Sequence, residues 1–243
     1  MASTDALLGA GLYETVLVED GVIRGGQYHL ARMQASAATL GLPAPETDAF
    51  RAAVAAAVRE GPCVRVTLHA GDDGEAVLRS YGRPRRTPAP VALVSLPGWY
   101  APGSALREHK LTSAFHDVWG ARRAEAAGGN ESLLISRDGL VGETATANLF
   151  AVVGGRLRTP AVDGILPGTA RAAVMEVIQT QQHQPLRRDD LLTCQGAFLT
   201  SATRPAVPVR SVDGQELAPC DPGLLERAAE AIEQAANRAA LPL

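Results

Sequence analysis

Glu108-His109-Lys110-Leu111-Thr112-Ser113 holds the only lysine of the 243-residue chain, against 22 arginines. Positive charge elsewhere is left to arginine. A guanidinium stays protonated at any working pH and is a poor nucleophile. An ammonium can lose its proton on burial and condense with a carbonyl. Lys110 therefore suits chemistry that arginine cannot perform. The competing reading is a surface lysine kept by chance, and composition alone does not choose between the two.

Two more stretches follow in chain order. Val141-Gly142-Glu143-Thr144-Ala145-Thr146-Ala147-Asn148-Leu149-Phe150 sets a glutamate on a predicted strand, and Gly164-Ile165-Leu166-Pro167-Gly168-Thr169-Ala170-Arg171 opens a predicted helix. A Pro-Gly helix start exposes backbone N–H groups, which together with the helix dipole attract phosphate. The Ser/Thr-rich turn Thr200-Ser201-Ala202-Thr203 comes last. Singly, these are a surface loop, a strand with a buried acid, a helix start and a turn. In sequence they are an amine, an acidic partner for a ring nitrogen and an anion cradle, the parts that an aldehyde cofactor with a phosphate requires.

Around them the chain punctuates clearly. Gly11–Gly21 reads as a strand ending in the Asp20-Gly21 turn, and apolar spacing predicts helices over 28–40 and 47–59. Residues 63–70 alternate, with Val64, Val66 and Leu68 on one face, and 76–81 and 91–96 are further strands. This half predicts an antiparallel sheet carrying two helices. After a Pro/Gly-rich linker come a helix over 113–127, strands at 132–136 and 140–153, and a hairpin at Gly154-Gly155. A helix from Pro167-Gly168 buries Val174, Val177 and Ile178, two more strands follow, and Asp221-Pro222 caps and opens a last helix. The predicted domains are a small N-terminal α/β domain (1–97), a linker (98–104) and a larger domain (105–243) that includes Lys110.

Composition narrows the classes. With 46% apolar and 20% charged residues the chain is ordinary for a globular protein, and a net charge of −3 gives no footprint for nucleic acid or an acidic membrane. No stretch approaches the roughly 20 apolar residues that span a bilayer. Residues 1–11 have no basic and apolar regions of a signal peptide, so none is expected. Cys63, Cys194 and Cys220 are odd in number and far apart, which suggests neither a disulfide framework nor a zinc site, and a cytoplasmic location is the expectation. No metal is expected. Arg79, Arg83, Arg85 and Arg86 form a cluster that reads as a solvated loop or as a means of recruiting an anionic substrate.

From about Gly9 to Gly214 the chain resembles the fold-type IV pyridoxal-phosphate enzymes, which include branched-chain and D-amino-acid aminotransferases and aminodeoxychorismate lyases. Gly11–Gly21 is similar to the family's N-terminal strand and His29-Leu30-Ala31-Arg32-Met33 to the helix that carries a phosphate-contacting arginine. Lys110-Leu111-Thr112-Ser113 looks like the Schiff-base segment. The resemblance implies pyridoxal 5'-phosphate bound in a cleft between two domains, the C-terminal one barrel-like, and a homodimer acting on a small anionic substrate. It implies Lys110 on the cofactor aldehyde, Glu143 on the ring nitrogen, and Arg32, Leu166, Gly168, Thr169, Ala170, Ser201, Ala202 and Thr203 around the phosphate. Thr15 becomes a candidate proton donor, and Tyr13, Glu14 and Arg83 become candidate substrate contacts.

Four departures stand out. Little chain precedes Gly9. Thr169-Ala170 replaces an aliphatic residue followed by Thr. Thr-Cys-Gln-Gly replaces an Ala-Asp-Glu stretch before Phe198. Phe115 stands where branched-chain enzymes have a tyrosine, and it cannot donate a hydrogen bond. The expected activity is conversion of 4-amino-4-deoxychorismate to 4-aminobenzoate and pyruvate. The alternative is a class IV aminotransferase for a small amino acid or amine, and a third reading is a non-catalytic ligand-binding protein on the same fold.

Overall fold

The computed structural model describes residues 4–85 and 87–243. Arg86 of the arginine cluster lies outside them. In chain order the elements are α1 (Thr4–Leu8), β1 (Leu12–Glu19), β2 (Val22–Arg24), α2 (Gly26–Leu40), α3 (Thr47–Ala57), β3 (Cys63–Ala70), β4 (Ala76–Arg83) and β5 (Val91–Pro97). They continue with α4 (Phe115–Ala126), β6 (Glu131–Ile135), β7 (Val141–Thr144), β8 (Asn148–Val153), β9 (Arg156–Arg158), α5 (Thr169–Val177) and α6 (Arg188–Leu192). Last come β10 (Ala197–Ser201), β11 (Arg204–Val212), β12 (Gln215–Glu216), α7 (Pro222–Arg238) and β13 (Leu241–Pro242). Mixed sheets and helices agree with the expected class.

The described chain divides into two compact units. The first comprises 4–85, His109–Ala114 and Gln234–Leu243. Its sheet has the order β13-β2-β1-β3-β4. Leu12, Val16 and Val18 of β1 and Val64, Val66 and Leu68 of β3 pack with Leu30, Met33 and Ala37 of α2 and with Phe50 and Val54 of α3. A strand has a period of two, so Tyr13, Thr15, Arg65 and Thr67 stand on the opposite face. Gly41, at φ 68°, ends α2 by returning its N–H to Ala37, a conformation that glycine adopts without strain.

Lys110 belongs to this first unit, not to a C-terminal domain as expected. β2 pairs with β1 only at Leu17–Glu19, which leaves one edge of β1 open near residue 12. The segment around Leu111 fills it: Tyr13 N–H donates to the Lys110 carbonyl (2.8 Å) and Thr112 N–H to that of Gly11 (2.8 Å). Unpaired backbone groups at a strand edge find partners wherever the chain can supply them. The predicted linker, 98–104, lies inside the second unit.

The second unit comprises Thr87–Glu108 and Phe115–Glu233. Its sheet runs β7-β6-β5-β11-β10-β8-β9, with β12 on β11. β5 was expected in the first sheet. It lies here, parallel to both β6 and β11, and its apolar run Val91–Val94 suits a strand covered on both faces. The predicted strand 140–153 is two strands. Thr144 Oγ1 accepts from Ala147 N–H and donates to the Ala147 carbonyl, both at 3.0 Å, closing a turn between β7 and β8. Val177 is 61% exposed, because α5 stops there and the extended Ile178 takes the buried side. Asp221 caps α7 as expected, accepting from Leu224 N–H at 3.1 Å. Cys63, Cys194 and Cys220 are free and buried, and burial pushes all three thiols up, Cys220 to about 11. Among the described residues no helix is long and apolar enough to cross a membrane, and no acid, histidine and cysteine group could hold a metal ion.

Phe150 and Phe198 are fully buried on the paired strands β8 and β10 with ring centroids 5.0 Å apart. Phe150→Ala removes one ring of this stack. It is expected to cost about 3–5 kcal/mol, read as a shift in the denaturant midpoint.

Candidate active site

In the first unit, five side chains gather on the sheet face away from α2 and α3. Lys110 Nζ lies 4.6 Å from the centroid of the Tyr13 ring, and the Arg65 guanidinium 4.4 Å from the same centroid. Arg65 also reaches the Tyr81 ring, at 5.9 Å, and its Nε donates to Thr15 Oγ1 at 3.3 Å. Register explains the gathering: Thr15, Arg65 and Tyr81 form one cross-strand row, and Tyr13, Thr67 and Arg79 form the next. Arg65 was not singled out in the sequence. The visible signal was the alternation of 63–70, which sets it opposite Val64 and Val66. Arg83, the arginine chosen there, sits in a row beyond Tyr81, opposite Cys63, and is exposed. His109 is tied to Ser36 Oγ at 2.9 Å, a structural contact.

Glu14 does not share this face. Adjacent strand residues point to opposite sides, so Glu14 enters the layer between sheet and helices and is 1% exposed. That burial corrects its reading as a substrate contact. Arg32 of α2 grips it with Nε and Nη2, each at 2.7 Å, and His29 Nδ1 lies 2.7 Å from Oε2. Burial alone would raise the Glu14 pKa, but the charges and hydrogen bonds of Arg32 and His29 outweigh it and hold the carboxyl well below the usual range. Two of the Arg32 donors that the sequence reading gave to a phosphate are thus on Glu14.

In the second unit the site is built around Glu143 at the end of β7, which is 7% exposed. Its Oε1 accepts from Leu166 N–H at 3.2 Å and lies 3.6 Å from Arg107 Nη2, and its Oε2 accepts from Asn148 Nδ2 at 3.3 Å. Asn148 also donates to the Leu166 carbonyl at 3.0 Å, fixing the loop that leads into α5. Gly142 lets the backbone of β7 lie against Tyr100, where a Cβ would meet the ring at 2.7 Å. The Tyr100 hydroxyl donates to the Asp163 carbonyl at 2.6 Å. Arg171 is buried in the first turn of α5 and donates to the Pro160 carbonyl at 2.8 Å.

Gly168 is the N-cap of α5 and makes no side-chain cap. A Cβ there would meet Asn148 Oδ1 at 2.0 Å. Thr169 and Ala170 follow in the first turn, whose leading N–H groups have no intrahelical partner. Thr200 is opposite Asn148 in the β8–β10 register, and its fully buried Oγ1 has no hydrogen-bond partner among the described residues. Ser201 Oγ accepts from Arg204 N–H at 3.2 Å, so that hydroxyl serves the turn through Ala202 and Thr203. Thr200 and Asn148 were quoted within their stretches but not chosen.

These residues fit a phosphate-bearing aldehyde cofactor. The uncapped helix start and the orphaned Thr200 hydroxyl are donors awaiting an oxyanion. Glu143 is a buried carboxylate, and Lys110 is the only lysine amine.

The fold is one seen before. The pyridoxal-phosphate-bound form of a hypothetical aminotransferase from Mycobacterium tuberculosis superposes with a TM-score of 0.82 at 26% identity, over 96% of this chain and 91% of that one. A bifunctional aminodeoxychorismate lyase/D-amino acid transaminase of Mycobacterium tuberculosis is 28% identical over 87% of this chain and 85% of its own length. A D-alanine aminotransferase of Bacillus licheniformis is 30% identical over 49% of this chain, a match that spans 43% of that enzyme. Residues 11–212 match the model of amino-transferase class IV, and the chain belongs to that family. It is accordingly a pyridoxal-phosphate-dependent enzyme of the aminotransferase and aminodeoxychorismate lyase type.

Glu14→Gln keeps the shape of the side chain but leaves Arg32 without its counter-charge. Breaking a buried pair this way is expected to cost about 3–5 kcal/mol at pH 7. The folded-state pKa is depressed, so this stability is fully present above the unfolded carboxyl value of about 4.3 and is lost as pH falls through the lower folded value. Urea titrations of both proteins should therefore differ by a constant amount near neutrality and converge only in strong acid.

Proposed function

We propose that the enzyme eliminates pyruvate from 4-amino-4-deoxychorismate to give 4-aminobenzoate. The observation that carries this is the Arg65–Thr15 contact. Because Thr15 Oγ1 accepts from Arg65 Nε, its own hydrogen is directed outward and the adjacent cation favours giving it up. A lyase needs such a donor, because the departing enol-pyruvate must gain a proton at carbon.

The cofactor supplies an aldehyde carbon for the substrate amine and a ring that draws electron density from the neighbouring carbon. Lys110 would hold that aldehyde. Freed by the substrate amine, its ε-amine would take the proton from the substrate carbon bearing nitrogen as the C–O bond to the enolpyruvyl group breaks. Thr15 would give a proton to the departing enol-pyruvate and regain the one Lys110 took, and the return of Lys110 to the aldehyde would release 4-aminobenzoate. Arg65, steadied between Tyr13 and Tyr81, is suited to hold a substrate carboxylate. Glu143 keeps the ring nitrogen protonated. The α5 start (Gly168, Thr169, Ala170) and Thr200 would take the phosphate. A homodimer, on the strength of the family resemblance, and a cytoplasmic location, on the cysteine usage, accompany this reading.

A second reading, transfer of an amino group from a D-amino acid to a 2-oxo acid, is favoured by the M. tuberculosis relative whose name carries both activities. It needs Lys110 but not the Thr15 hydroxyl.

Borohydride reduction of the holoenzyme should fix the cofactor on the peptide containing Lys110, and Lys110→Arg should abolish turnover while the protein stays folded. Normal turnover by that variant would refute the assignment. Thr15→Val should slow pyruvate release from aminodeoxychorismate by about 10²-fold or more, as loss of a general acid does. Amino transfer, if the enzyme performs it, should survive. Unaltered pyruvate formation would leave Lys110 as the sole proton carrier.

A further inference from the structure

Arg107 lies in the single-turn helix Ala105–Glu108 and reaches two acids at once. Its Nη1 is 3.0 Å from Asp117 Oδ1 of α4, and its Nη2 is 3.6 Å from Glu143 Oε1 of β7. The guanidinium is about a quarter exposed, at 27%, and Glu143 is nearly enclosed, at 9%. We infer that Arg107 is a positioning residue that fixes the Glu143 carboxylate and, with Asp117, sets the charge balance the ring nitrogen meets there. This rests on Glu143 being the partner of that nitrogen.

The charged groups around Glu143 can be enumerated. Arg107 approaches from the turn before residue 109, and Arg171 of α5 interacts with Glu143 through its charge. Asp117 neutralises Arg107 from the far side. His116, 3.8 Å from Asp117, is held neutral in the weakly alkaline range because burial, then the Arg107 charge, lower its pKa. Tyr100 is neutral too: burial, then Asp163 and Glu143, push its phenol up to about 12. The set thus has Arg107 and Arg171 as its guanidiniums and Glu143, Asp117 and Asp163 as its carboxylates. Arg107 links Asp117 and Glu143 at 3.0 and 3.6 Å in a partly desolvated place, where screening by salt is weak.

Opposite charges on either side of Arg107 make a signed forecast. Deleting a cation makes it easier to keep a proton nearby, and deleting an anion makes it harder. A residue that mattered only for packing would give no such opposition.

The test is the pH titration of the visible absorbance of the holoenzyme. Arg107→Met should raise the midpoint by about half a pH unit or more, and Asp117→Asn should lower it by a similar amount, as expected for one charge a few ångströms away at intermediate dielectric. Arg107→Lys should restore most of the wild-type midpoint, since it keeps the charge. Glu143→Gln is the control and should lower the midpoint. If it does so while Arg107→Met and Asp117→Asn leave the midpoint alone, or move it in the same direction, the inference on Arg107 is wrong and the reading of Glu143 stands. If Glu143→Gln itself does nothing, the reading of Glu143 falls and the role of Arg107 falls with it. The absorbance amplitude at saturating cofactor reports, in every variant, that the protein is folded and loaded.

Discussion

The two-residue period of β1 is the constraint on which the first unit depends. Leu12, Glu14, Val16 and Val18 must turn one way, and Tyr13 and Thr15 the other. One side meets α2 and α3 and has to be dry, so the single acid on it is matched by Arg32 and His29. The other side is free to carry polar groups, and there Arg65, Tyr13, Thr15 and Lys110 assemble. The Glu14 ion pair thus belongs to stability, and the opposite face carries the proposed chemistry. A change that slipped β1 by one residue would exchange them, burying Thr15 and bringing Glu14 out.

Much of this was legible in the chain and some of it was not. The helices of the first unit follow apolar spacing, and the lone Lys110 was conspicuous by composition. Its place beside β1 was not readable. The hydrogen bonds that seat it join residues about a hundred positions apart, and no local pattern marks a strand edge that another segment will fill. Tyr13, Glu14 and Thr15 were read together as facing one site, although alternation forbids neighbours in a strand from doing so. That error came from following the resemblance past the geometry. Arg65 was hidden for a different reason. An arginine in an alternating strand looks like an ordinary exposed residue until the rows of the sheet are known, and Arg83, in a conspicuous cluster, drew attention instead.

In the second unit the sequence showed the parts but not their joints. The stretch 141–150 looked like one strand, because Thr and Ala between apolar residues do not announce a turn. The turn at Thr144 lets Glu143 and Asn148 come together over Leu166. Arg107 and Asp117 carry no motif and become visible only as distances to Glu143.

The buried thiols have a practical corollary. Cys63, Cys194 and Cys220 are enclosed and poorly ionised at neutral pH, so electrophiles that seek thiolates find little to attack in the folded chain. The guanidiniums are unreactive toward most acylating reagents. The α-amino terminus apart, the amine inventory of the protein comes down to one ε-amine. An amine-directed label would behave here as a site-specific one, and under the proposed role of Lys110 its loss of access on cofactor loading would count occupancy directly.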